Sequence, residues 1–164
     1  MNLKEYILPK TSMIGGWYIP PVLCDDLITL FKGSEEYHQP GVVGPPVRVD
    51  PDEKISTDVS LHPSYHNPTF ILYQKLLGSI IHLYEKKYPE VESLSGFGLV
   101  DACQIQYYKK GEGYKKWHFE RTNGKQNRCL VFMTYLNDVP DGGTHFKYQD
   151  LTAPAEKGLT LLWP

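Results

Sequence analysis

At Leu99 the periodicity of the chain changes, and this change does most to limit the folds open to it. Before that point, Asn67 and Pro68 open a run in which Tyr73, Leu76, Leu77, Ile80, Ile81 and Tyr84 recur at helical spacing. The helix should reach about Lys87, where Pro89 stops it. After Leu99 come short strand-like runs, Ala102 to Tyr108, Cys129 to Leu136, His145 to Tyr148 and Leu159 to Trp163, separated by loops rich in Gly, Asn, Asp and Pro. Helices first and strands later predict an α+β fold, an antiparallel barrel or jelly roll buttressed by N-terminal helices. Earlier in the chain, Asp25 and Asp26 are placed to cap a short helix through Leu27, Leu30 and Phe31 that Gly33 would end. The Pro/Gly-rich stretch from Gln39 to Pro46 predicts turns, and Val47 to Leu61 has room for one or two strands.

With 164 residues, 41% of them hydrophobic, the chain can bury the core of one domain, taken as 1–164, without disulfides or a structural metal. A formal charge of -2 and a pI near 6.3 give no basic excess of the kind that captures a phosphate backbone, so no nucleic-acid partner is expected. Lys109, Lys110, Lys115 and Lys116 sit among aromatic residues and read as a solvated rim beside a pocket. Cys24, Cys103 and Cys129 are odd in number and widely spaced, which predicts neither a disulfide framework nor a zinc knuckle. No apolar run suits a signal peptide or a bilayer span, so the expectation is a cytoplasmic protein with no membrane partner.

The sharpest chemical signal is Trp117-His118-Phe119-Glu120. Two residues apart on a strand, a histidine and a carboxylate point to one side and can meet a single ion. Such a pair supplies two corners of the facial triad that leaves coordination positions open on non-haem Fe(II). Spacing alone is weak, because H-x-E arises often by chance. Its context is the run Gln104-Ile105-Gln106-Tyr107-Tyr108, a Gly-rich turn at Gly111 to Gly113, Tyr114, the His-x-Glu pair, Arg128, Tyr135-Leu136-Asn137 and Gly142-Gly143-Thr144-His145-Phe146.

In that order these motifs resemble the prolyl 4-hydroxylase group of the Fe(II)/2-oxoglutarate-dependent oxygenases, and are most similar to the hypoxia-sensing prolyl hydroxylases and their microbial and viral relatives. The matches cover about Ala102 to Pro164. The resemblance implies a double-stranded β-helix, with His118 and Glu120 as metal ligands and Tyr108 and Tyr135 lining the 2-oxoglutarate pocket, where a phenol hydroxyl can donate to a carboxylate. Arg128 is given a supporting role, an ion pair near the metal loop. The implied cofactor is Fe(II), the cosubstrates are 2-oxoglutarate and O2, and ascorbate is a candidate reductant. The implied reaction converts 2-oxoglutarate to succinate and carbon dioxide while hydroxylating a prolyl residue in a peptide or protein partner. Lys54 to Leu61 resembles the strand after the family's mobile substrate-binding loop, which would here run from Gly41 to Glu53.

The chain departs from the family pattern in two ways. Glu120 stands where aspartate is usual, and Glu120→Asp is expected to preserve or improve metal binding. The family's distal histidine and its basic partner for 2-oxoglutarate fall after a segment like Lys157 to Pro164, so the last strands are expected beyond this sequence. His145 is a weak substitute ligand, His82 reads as a helix-surface residue, and His38, His62 and His66 as surface residues of turn-rich segments. Competing readings are a non-catalytic jelly-roll binding module, an oxygenase acting on a free amino acid or other small molecule, and a cupin-like barrel, for which Arg121 to Arg128 offers no further histidine.

Overall fold

A computed structural model of the chain describes residues 2–93, 98–121 and 128–164. It is an α+β structure, and all pairings between its strands are antiparallel. Two compact units interleave along the sequence. One comprises Met1–Thr29, His66–Phe97 and Cys129–Pro164, the other Leu30–Tyr65 and Gly98–Arg128.

The first unit is organised on β10 (Leu159–Trp163), which lies between β1 (Gly15–Tyr18) and β7 (Val131–Thr134). A strand flanked on both sides and covered on both faces should read as a continuous apolar run. Leu159, Thr160, Leu161 and Leu162 are accordingly all buried. The one hydroxyl among them is satisfied, since Thr160 Oγ1 lies 2.8 Å from Thr134 Oγ1. Tyr73 on α2 (Pro68–Lys87) bonds that same Thr134 hydroxyl at 2.9 Å, tying the helix to the sheet.

Helix α2 starts as expected: the Asn67 side chain accepts from Phe70 N at 3.2 Å and Pro68 occupies the first turn. Its buried stripe, Phe70, Tyr73, Leu76, Leu77, Ile80 and Tyr84, follows the predicted spacing, and His82 is exposed beside Glu85. Helix α1 (Pro21–Lys32) begins one turn before the expected cap. Pro20 and Pro21 set φ for the first turn, so Asp25 and Asp26 lie inside the helix and face solvent, and Asp25 holds Lys157 at 2.6 Å.

The remaining hairpin of this unit pairs β8 (Val139–Phe146) with β9 (Leu151–Ala155). Its register slips between Val139 and Thr144, a bulge that contains Gly142 and Gly143. Gly143 has φ +126, and a Cβ there would come within 2.2 Å of the Ala153 carbonyl. The double glycine therefore serves the bulge. Gly143→Ala is expected to destabilise the protein by about 2–3 kcal/mol, measured by urea unfolding.

In the second unit, β2 (Gln39–Pro40), β4 (Thr57–Leu61) and β5 (Cys103–Tyr107) form one sheet, and β3 (Lys54–Ile55) pairs with β6 (Gly113–Tyr114). Residues 43–48 make a tight turn in which Val43 and Arg48 exchange main-chain hydrogen bonds of 2.9 Å. No helix among the described residues is long and apolar enough to cross a membrane.

Candidate metal centre

His118 and Glu120 follow β6 on an irregular segment that is not a strand; among the described residues no ladder pairs it. The strand geometry expected for the pair is thus replaced by an irregular one, yet the two side chains still converge. His118 Nε2 lies 3.5 Å from Glu120 Oε1, near enough for one ion to bridge them and too far for a strong hydrogen bond. Both side chains keep about a third of their surface exposed, so the pair is open to solvent.

Surrounding groups fix each donor. His118 Nδ1 is 3.1 Å from the Lys116 carbonyl. A carbonyl only accepts, so Nδ1 donates to it, while Nε2 faces the Glu120 carboxylate and offers its lone pair to an ion once the ring is neutral. The ring of Tyr114 lies flat against the imidazole, with centroids 3.7 Å apart and planes 16° from parallel. The carboxylate of Glu120 raises the His118 pKa above its ordinary value, against burial, which lowers it.

Arg128 holds the other carboxylate oxygen: its Nη1 donates to Glu120 Oε2 at 2.6 Å, while its Nε and Nη2 both donate to Asp101 Oδ2 at 2.9 and 2.8 Å. The planar guanidinium can serve two carboxylates at once because its donors are splayed in a rigid fork. Arg128 thus forms ion pairs with both Glu120 and Asp101. Asp101 has no signal in sequence, since 27 positions separate it from its partner.

Tyr108 sits half-buried beyond the end of β5 and donates to Gln106 Oε1 at 2.8 Å. Gln106 Nε2 in turn donates to Gln104 Oε1 at 2.9 Å and faces Asp58 Oδ2 at 3.5 Å. Burial, and then the Asp58 charge, push the Tyr108 phenol well above its ordinary pKa. Behind this row lies a buried ion pair, Lys54 Nζ to Asp58 Oδ2 at 2.8 Å, whose second carboxylate oxygen accepts from Ser56 at 2.7 Å. In the first unit, Tyr135 packs on the core around Leu159 and Leu161 and donates to Thr144 at 2.7 Å. Burial raises its pKa too. Each tyrosine has committed its single proton within the protein, so to donate to a carboxylate it would have to turn its hydroxyl away from the present acceptor.

Among the described residues no group of three His, Cys, Asp or Glu side chains is placed to hold a metal. His145 is exposed on β8, with Nδ1 2.9 Å from Thr152 Oγ1. His62 and His66 are exposed, whereas His38 is half-buried, stacked on Phe31 at 4.3 Å. Residues 122–127, part of the stretch searched for a further histidine, lie outside the described residues. Comparison of the chain with protein-family models and with curated proteins finds no match.

Proposed function

We propose that this chain is the Fe(II)- and 2-oxoglutarate-dependent dioxygenase domain of the prolyl 4-hydroxylase type that its motifs resemble, built on a double-stranded β-helix. The observation that carries the reading is the convergence of His118 Nε2 and Glu120 Oε1 at 3.5 Å, each held by other groups. One imidazole nitrogen and one carboxylate oxygen are a donor set suited to Fe(II) or Mn(II). Outer contacts of the kind made by Lys116 and Arg128 orient metal ligands and tune their basicity.

Iron bound there would supply the oxidising chemistry that couples 2-oxoglutarate decarboxylation to hydroxylation of a C–H bond. The residues have simpler tasks. His118 and Glu120 bind, Arg128 keeps Glu120 from swinging to solvent, and Tyr108 offers its hydroxyl to the cosubstrate carboxylate. Tyr135 belongs to the other unit, and its part in binding 2-oxoglutarate rests on the resemblance alone. The proposed substrate is a prolyl residue in a peptide or protein.

A second reading, a module that binds metal or 2-oxoglutarate weakly and turns nothing over, is favoured by the absence of a third converging donor among the described residues. Succinate formation from 2-oxoglutarate with Fe(II), ascorbate and air, with and without proline-rich peptides, separates the two. The oxygenase reading expects succinate that rises with peptide, together with peptide heavier by one oxygen atom. Mn(II) binding without any succinate would overturn it and leave the module.

A further inference from the structure

The turn-rich segment 41–53 is joined to the His118 segment mainly through Glu53. Its Oε2 accepts from Arg48 Nη2 at 3.1 Å, its Oε1 accepts from the Tyr114 hydroxyl at 3.3 Å, and its main-chain oxygen accepts from Lys115 N at 2.7 Å. Lys115 Nζ adds a bond to the Pro51 carbonyl at 3.1 Å, and Lys116 Nζ comes within 4.0 Å of Glu53. Arg48 is itself fixed by its main-chain exchange with Val43 and by Asp50 at 3.1 Å. The path then passes through the ring of Tyr114 to the imidazole face of His118.

We infer that Tyr114 is a positioning residue for His118 and that Glu53 sets Tyr114, so that segment 41–53 and the metal pair respond to each other. The inference rests on the reading of His118 as a metal ligand. An imidazole on an irregular, partly exposed segment would otherwise turn freely about its side-chain bonds. The Lys116 carbonyl fixes one ring nitrogen, and the Tyr114 ring covers one face. Together they leave Nε2 a single direction, toward Glu120. Tyr114 bears on no reacting atom, and its influence passes through the ring it supports. Any coupling of this kind is reciprocal: if the segment orients the ligand, metal bound to the ligand steadies the segment.

The test compares Tyr114→Phe, which keeps the ring, with Tyr114→Leu, which removes it, and Glu53→Ala, which keeps the ring but loosens it. The first readout needs no metal. Imidazole nitrogen chemical shifts at alkaline pH, where the ring is neutral, report which nitrogen carries the proton. The parent and Tyr114→Phe should hold the Nδ1–H tautomer bonded to Lys116, and Tyr114→Leu should relax toward the Nε2–H form that free imidazole favours in water. The second readout is Mn(II) affinity by calorimetry, expected to fall about tenfold in Tyr114→Leu and severalfold in Glu53→Ala and in Tyr114→Phe, both of which break the Glu53–Tyr114 bond. A Tyr114→Leu protein with the parent's tautomer and the parent's affinity overturns the inference. Should Tyr114→Leu fail to fold, Glu53→Ala decides by the same two readouts, and parental values in both overturn it. If the parent takes up no Mn(II), the dioxygenase reading falls, while the tautomer series still decides whether Tyr114 orients His118.

Discussion

His118→Ala should lower Mn(II) affinity by more than about a hundredfold in a calorimetric titration, beyond the ten- to hundredfold that loss of an outer-shell partner brings. The substitution removes the only imidazole facing Glu120 among the described residues and leaves a lone carboxylate clamped by Arg128. Glu120→Asp should retain binding, because a carboxylate donor remains, although one methylene less reach will lengthen the contact with Arg128. Glu120→Ala should lose binding as His118→Ala does. Equal affinities in the parent and His118→Ala would remove both residues from the metal site.

The largest stability effect is expected at Asp58. The Lys54–Asp58 pair is almost inaccessible to water, with side chains 3% and 7% exposed. Asp58→Leu would leave the buried Lys54 ammonium without its counter-ion and should destabilise the protein by about 3–5 kcal/mol in urea unfolding. The double variant Lys54→Met, Asp58→Leu should recover most of that loss, since removing both charges also removes the desolvation that their attraction offsets. A double variant no more stable than Asp58→Leu would mean that the pair contributes something other than mutual neutralisation. Asp58→Leu should also release the Gln106 amide and with it the acceptor of the Tyr108 proton, so Tyr108 would become freer to rotate.

The contrast between α2 and β1 shows what could be read in advance. The cap at Asn67, Pro68 in the first turn and the apolar stripe to Tyr84 are local, and the helix runs as the sequence indicates, from Pro68 to Lys87. The strand Leu159–Trp163 is equally plain because burial on both faces demands an unbroken apolar run. By contrast, Gly15-Gly16-Trp17-Tyr18 looks like a loop. It becomes β1 because β10 supplies its partner and because Trp17 and Tyr84 crowd Gly15 so closely that a Cβ would lie within 2.8 Å of both rings. Strand β9 was hidden by Pro154, which lowers strand propensity, and β8 begins earlier than expected because its glycines form a bulge. At the site, the spacing of His118 and Glu120 was legible, and Tyr114 stood in the motif without a role. The clamp from Asp101, the anchor at Glu53 and the Lys54–Asp58 pair were not. Each depends on residues brought near by folding, and their side chains give no periodic signal.

The pairing of β1 with β10 also bears on how the protein is made. Tyr18 meets Leu159 and Gly15 meets Leu162, partners 141 and 147 positions apart. Closing a loop of that length is slow compared with winding a local helix, so α2 can form soon after synthesis while β1 waits. Until residues beyond 159 leave the ribosome, the Gly15–Tyr18 edge and the apolar stripe of α2 have no sheet to cover them. During that interval the nascent chain is most open to chaperone capture and to association with other copies. Slowing translation over the codons for Leu159–Trp163 should prolong it.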